Sequence, residues 1–193
     1  TILNPEILTP AIAADPDATV LTTTSAIILL AGQNVTTSNV PIFAGVPEIP
    51  FNPAGPTLPG NITVGSLNTT AGGGGPVRLV APGNITVNGT IDTSANQFPT
   101  AISGSVTINA GGNILVTDRI TTAASSFANT AGSATSVSGN VQMTSGGSLT
   151  LLGEINTTAV AFSDDLPSVT PGTINLNAGS DLVFDTIVTS AFA

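Results

Sequence analysis

The chain has 193 residues, 11 acidic and 2 basic, and it contains no Cys, His, Trp or Tyr. A formal net charge of −9 excludes the binding of nucleic-acid phosphates, and the lack of His and Cys excludes most transition-metal sites and the usual nucleophile pairs. With 41% apolar residues the chain can form a packed core. Its longest apolar run, at 26–31, is far shorter than the roughly 20 residues that cross a bilayer, so we expect no membrane span.

The N-terminal residues 1–20 lie outside the repeats described below and form the first predicted region. Pro5, Pro10 and Pro16 keep this stretch extended rather than helical. Its main apolar side chains are Ile2, Leu3, Ile7 and Leu8. We therefore predict an extended N-terminal segment that serves in capping or assembly, followed by one repetitive domain over 21–193.

A proline-rich stretch at 41–59 interrupts the beginning of this domain. Six prolines within it exclude a central strand, because proline cannot donate to a sheet ladder. We predict an extended loop laid along the side of the domain, with Phe43, Ile49 and Phe51 covering part of that side.

Internal repetition is the dominant signal in the remaining sequence. Four segments align without gaps, at 77–95, 106–124, 141–159 and 174–192, and two weaker copies precede them at 27–40 and 59–70. Apolar residues alternate with polar ones inside each copy, as in Val77-Arg78-Leu79, which is typical of half-buried strands. Each copy is predicted to form three short strands joined by two tight corners.

Repeated in phase, such copies predict a parallel β-helix (a solenoid) of about five to six coils, whose core exists only when the coils stack. The alternative fold is an antiparallel sandwich. Three inward rows are expected: Val77, Val106, Val141 and Ile174; Ile85, Ile114, Leu149 and Leu182; Ile91, Ile120, Ile155 and Val188. Thr93, Thr122 and Thr157 are expected to form an outward column. Three loops of variable length, at 96–104, 125–139 and 160–172, should cluster on one side.

Two segments of the repeat resemble a known protein family. They are Gly-Ser-Val-Thr-Ile-Asn-Ala-Gly-Gly-Asn-Ile-Leu-Val at 104–116 and Gly-Thr-Ile-Asn-Leu-Asn-Ala-Gly-Ser-Asp-Leu at 172–182. Over roughly 59–193 the chain resembles filamentous-haemagglutinin-like secreted exoproteins of bacterial and cyanobacterial surfaces. The resemblance implies a right-handed parallel β-helix and a role as an adhesin, toxin carrier or surface fibre.

Catalytic and metal-binding residues are scarce. Asp164-Asp165 is the only adjacent carboxylate pair, and Arg78 and Arg119 stand at different phases of the repeat, so a polysaccharide-active enzyme is a minor alternative. Asp15-Pro16-Asp17 is a weak candidate for Ca²⁺. We predict no enzyme, no cofactor and no metal site.

Asn-x-Thr sequons provide candidate glycan acceptors. Asn34, Asn68, Asn88 and Asn156 are the candidates, whereas Asn61 and Asn84 read as corner residues that stack between coils. Two further alternatives rest on exposed strand surfaces. A Thr column suits an ice-binding protein, and the loop side suits a carbohydrate-binding adhesin module, although the chain lacks Trp and Tyr as sugar platforms.

The predicted function is structural. We expect a secreted subunit of an extracellular filament, sheath or surface layer at the cell surface, with copies of itself as partner and cell-surface polysaccharide as a further candidate. The final coil offers an apolar end through Leu182, Phe184 and Ile187. Docking of the N-terminal segment of the next subunit on this end would produce head-to-tail polymers.

Overall fold

The structure, a computed structural model, describes residues 21–22, 27–30, 60–70, 73–128 and 132–193. These residues form strands and connecting turns, and no helix occurs among them. The predicted side loop at 41–59 and the N-terminal segment at 1–20 lie outside the described residues.

Three coils contain five strands each. The first comprises β5 (Val77–Ala81), β6 (Ile85–Val87), β7 (Ile91–Asp92), β8 (Ala95–Gln97) and β9 (Thr100–Ile102). The second comprises β10 (Val106–Ala110), β11 (Ile114–Val116), β12 (Ile120–Thr121), β13 (Ala124–Phe127) and β14 (Thr135–Val137). The third comprises β15 (Val141–Ser145), β16 (Leu149–Leu151), β17 (Ile155–Asn156), β18 (Ala159–Phe162) and β19 (Ser168–Thr170).

Incomplete coils flank these three. Before them lie β1 (Leu21–Thr22), β2 (Ile27–Leu30), β3 (Ile62–Val64) and β4 (Leu67–Asn68). After them lie β20 (Ile174–Ala178), β21 (Leu182–Phe184), β22 (Ile187–Val188) and β23 (Ala191–Phe192).

Equivalent strands of successive coils pair into five sheets. Their orders are β2-β5-β10-β15-β20, β3-β6-β11-β16-β21, β1-β4-β7-β12-β17-β22, β8-β13-β18-β23 and β9-β14-β19. Every pairing is parallel, for example Val106 with Val77 on one side and with Val141 on the other. The fold is therefore a β-solenoid, and the antiparallel sandwich is excluded.

The first three sheets enclose the main core, and we call this part the body. The predicted rows lie inside it: Ile85, Ile114 and Leu149 are in register and essentially fully buried. Row neighbours are the same kind of residue because each inward position meets the same enclosed space in every coil. Burying one such side chain contributes about 1.5–3 kcal/mol.

One predicted row is wrong at its last member. Ile155 pairs with Ile187, so Val188 lies opposite Asn156 and outside the row. The second corner of the last coil is one residue shorter than in the other coils, so Ile187 and not Val188 takes the position in the row.

Each of the three predicted loops contains strands among its described residues. The strands β8, β13, β18 and β23 stack into one sheet and β9, β14 and β19 into another, and we call this pair of sheets the fin. The loops cluster on one side, as predicted. Small side chains fill the space between the two sheets. Among them, the buried Ser126 and Ser136 hydroxyls form a hydrogen bond of 2.8 Å.

A threonine and a glycine close four successive coils at the position where the fin segments leave the body. The Thr122 Oγ1 hydroxyl donates to the Gly139 carbonyl at 2.7 Å, and the Gly139 N–H donates to the Thr122 carbonyl at 3.3 Å. Equivalent hydroxyl contacts join Thr69 to Gly75, Thr93 to Gly104 and Thr157 to Gly172. The predicted outward Thr column is thus wrong: Thr93, Thr122 and Thr157 are fully buried.

The first corner of each coil carries a ladder of side-chain hydrogen bonds. The amide N–H of Asn84 donates to Asn61 Oδ1 at 2.7 Å, and that of Asn113 donates to Asn84 Oδ1 at 2.8 Å. Ser148 N–H continues the ladder to Asn113 Oδ1 at 2.8 Å. The corner asparagines therefore link neighbouring coils, as their positions in the repeat predicted.

Candidate functional site

The most distinctive surface of the described chain is the end of the solenoid formed by β20–β23. Each of these strands is the last member of its sheet. Within the described residues no strand pairs with their outer edges, so a row of backbone N–H and C=O groups faces outward. We call this surface the end face.

The end face exposes the inward rows of the body. Leu182, Phe184 and Ile187 are 42%, 48% and 39% exposed. Their partners one coil earlier are Leu149, Leu151 and Ile155, which are 0%, 1% and 1% exposed. The same inward positions are therefore buried in the third coil and exposed to solvent in the last.

The structure brings the three predicted C-terminal site residues together on this one surface. Val183, between Leu182 and Phe184, is 52% exposed and points to the other side of its strand. The predicted partner residues Ile2, Leu3, Ile7 and Leu8 lie outside the described residues.

The residues considered for catalysis are not assembled. Asp164 and Asp165 are exposed in the turn between β18 and β19, Arg78 lies half-buried in β5, and Arg119 is exposed before β12. Across the described parts of the chain no three His, Cys, Asp or Glu residues approach closely enough to hold a metal ion. The Asp15-Pro16-Asp17 candidate lies outside the described residues.

An open depression of about 400 Å³ lies at the fin. Phe127, Ala128, Phe162, Ser163, Asp164 and Ala193 line it. Asp164 is its one acidic group, and the aromatic rings dominate its apolar wall.

The candidate glycan acceptors differ in how their side chains are used. Asn68 Oδ1 accepts hydrogen bonds from the Thr70 N–H and hydroxyl at 2.9 and 2.8 Å. Asn156 Oδ1 accepts from Thr158 N–H at 3.0 Å, while its Nδ2 donates to Glu154 at 3.1 Å. Asn88 is exposed at the second corner, and Asn34 lies outside the described residues. Of the three described acceptors, Asn88 presents its side chain most openly.

The closing residues of the coils were not predicted from the sequence. Gly104, Gly139 and Gly172 stack on one another, and a Cβ added at Gly139 would overlap the Gly104 carbonyl. Their recurrence two residues before each long strand was a usable signal. The inward orientation of Thr122 could also have been predicted, because Thr122 is two residues from the inward Ile120 and alternate residues of a strand share a face.

Comparisons of the chain with protein-family models, with curated proteins and with solved structures found no match. In the described residues there is no helix long and apolar enough to cross a membrane.

Proposed function

We propose that the chain is a structural subunit of an extracellular filament, sheath or surface layer, and that its subunits stack head to tail through the end face. The proposal includes five to six coils, from the number of repeats, and right-handed coiling, as the resemblance to filamentous-haemagglutinin-like exoproteins implies. Cell-surface localisation and secretion belong to the same proposal.

The observation that carries the proposal is the exposure of Leu182, Phe184 and Ile187. Their row partners in the third coil are buried beneath the following coil. The kind of partner that would fit the end face is therefore another parallel coil. Such a coil would bury the apolar rows and pair the open strand edges at once.

A second copy of the chain can supply this coil. The N-terminal segment carries Ile2, Leu3, Ile7 and Leu8 on an extended stretch, which suits strand addition. The contact joins two different surfaces, so it does not close on itself and produces a filament.

The test is assembly of the full chain, followed by negative-stain microscopy and analytical ultracentrifugation. Phe184→Glu should leave a folded subunit and abolish filaments, because a carboxylate would be buried without a partner in the junction. Val183→Glu is the matched control, since it adds the same charge to the next residue but on the other side of the strand. Deletion of residues 1–20 should likewise give folded, unpolymerised subunits.

The proposal fails if the intact chain remains a monomer at high concentration. It also fails if Phe184→Glu polymerises as well as Val183→Glu, or if the chain lacking 1–20 forms the same fibres.

A further inference from the structure

A stripe of exposed phenylalanines runs along the fin. Phe127 and Phe162 stack with ring centroids 5.5 Å apart and planes inclined by 18°. Phe98 directly follows Gln97, which is the last residue of β8 and the register partner of Ser126. Phe192, opposite Val160, lies on the same side of the sheet two positions nearer the body. We call Phe98, Phe127, Phe162 and Phe192 the phenylalanine stripe.

We propose that the phenylalanine stripe is a lateral contact surface on which a second copy of this chain docks, so that filaments pair side by side. This inference rests on the proposed function, because it concerns filaments built through the end face. The contact joins the same stripe on both copies, as in a two-fold interface.

The exposure of the rings supports an interface. Phe98, Phe127, Phe162 and Phe192 are 63%, 45%, 54% and 57% exposed. A phenylalanine side chain presents roughly 200 Å², so the four rings leave roughly 400 Å² of apolar surface open on each subunit. That is about half of the roughly 800 Å² per partner that a stable interface buries. One stripe alone is thus too small, whereas stripes joined along a filament add up.

Charge favours a copy of the same chain as the occupant over a charged partner. The strands β8, β13, β18 and β23 carry no charged residue, although the whole chain has a formal net charge of −9. Two such chains repel each other overall, and contact through an uncharged surface adds the fewest close pairs of like charges. Asp164 and Asp165, in the turn after β18, lie at the border of the stripe.

The spacing of the rings along the stripe also favours a second copy of the chain as the partner. Parallel strands lie about 4.8 Å apart, and the stripe places one ring on each of successive coils. A surface with matching ring spacing is present on every copy of this chain, and aromatic rings interlock well in offset or edge-to-face arrangements.

Ring orientation argues against a polysaccharide on the stripe. A sugar stacks on an open ring face, but Phe127 and Phe162 turn faces toward each other. Their edges point outward, which suits contact with other rings better than contact with a flat sugar.

The test compares filaments of the unaltered chain with those of the double variant Phe127→Ser/Phe162→Ser by negative-stain microscopy. The unaltered chain should form paired filaments, and the double variant should form filaments of the same length that remain single. Ile102→Ser is the matched control, because Ile102 is 55% exposed on the other fin sheet; its filaments should pair normally. Added salt should increase pairing of the unaltered chain by screening its negative charge.

Filaments of the unaltered chain that remain single at all salt concentrations overturn the lateral contact alone and leave head-to-tail assembly intact. The same holds if the double variant pairs as often as the unaltered chain, or if a soluble polysaccharide binds the stripe in its place. Absence of any filament contradicts both proposals.

Discussion

The body and the fin are made by the same coils, yet their interiors differ. Branched aliphatic residues such as Ile114 and Leu149 fill the body, whereas the fin interior contains Ala95, Ala124 and Ser126. Three sheets leave a wide space that only large side chains fill, while two facing sheets with short side chains approach each other closely. Body stability therefore comes mainly from apolar burial, and the fin depends on hydrogen bonds of about 0.5–1.5 kcal/mol each.

The junction between the two parts repeats the same Thr–Gly hydrogen bond in four coils. The segments enclosed by the Thr–Gly pairs differ in length, with separations of 6, 11, 17 and 15 residues in Thr69–Gly75, Thr93–Gly104, Thr122–Gly139 and Thr157–Gly172. The body thus closes in the same way whether or not a fin is present. The fin is therefore an insertion into a coil that closes without it.

The largest effect is expected in the body. Ile114→Asp places an unpartnered carboxylate in a fully buried row, at a cost of several kcal/mol, and should unfold at least the adjacent coils. Thermal unfolding followed by circular dichroism measures this. Leu115→Asp, on the outward side of the same strand, is the control and should change stability little. An unchanged melting temperature for Ile114→Asp would show that the row does not carry the fold.

Overpacking should affect the fin and spare the body. Ala124→Leu inserts a large side chain between two closely spaced sheets, at a cost of about 1–3 kcal/mol. Hydrogen exchange should show lost protection in β13 and β14 with the body strands still protected. Ser125→Leu, on the outer side of the same strand, should leave the exchange pattern unchanged. Equal loss of protection in the body would contradict the separation of the two parts.

The closing pair should have an intermediate effect. Thr122→Val keeps the shape of the side chain but removes the donor to the Gly139 carbonyl, which costs about 1–2 kcal/mol at a buried site. Faster amide exchange at Gly139 and Ser138 should accompany the lower melting temperature. Thr122→Ser retains the hydroxyl and should recover most of the loss; if it behaved like valine, the hydrogen bond would not be the cause.

The smallest effect on the body is expected when one fin segment is removed. Replacing residues 94–103 by the sequence of 70–74 keeps Thr93 and Gly104. It removes β8 and β9, their pairing with β13 and β14, and the hydrogen bonds of Ser103, all of which belong to the fin or its border. Gly73 and Gly74 at φ of 102° and 76° allow the tight connection. The circular dichroism spectrum and cooperative unfolding of the body should persist. Collapse of the whole fold would show that the fin is required for coil closure.

The amino-acid sequence alone determined the parallel stack and its main rows. Alternation with a period of two assigned Val106 and Ile114 to the interior, and in-phase repetition placed their counterparts directly above and below. Both signals are local or periodic, so no contact had to be known in advance. The corner ladder from Asn61 to Ser148 followed from the same repetition.

The strands of the fin, the closing Thr–Gly pairs and the register after the last corner depend on contacts that form only in the folded structure. Segments such as Ala124–Phe127 have little apolar alternation and become strands because equivalent segments above and below supply their hydrogen-bond partners. Thr122 is buried because Gly139, at a distance in sequence that varies from coil to coil, supplies an acceptor. Ile187 takes its row position because pairing with Ile155 outweighs a one-residue difference in the corner. These features depend on partners that only the stacked coils bring together, whereas the rows depend on a pattern that each coil carries by itself.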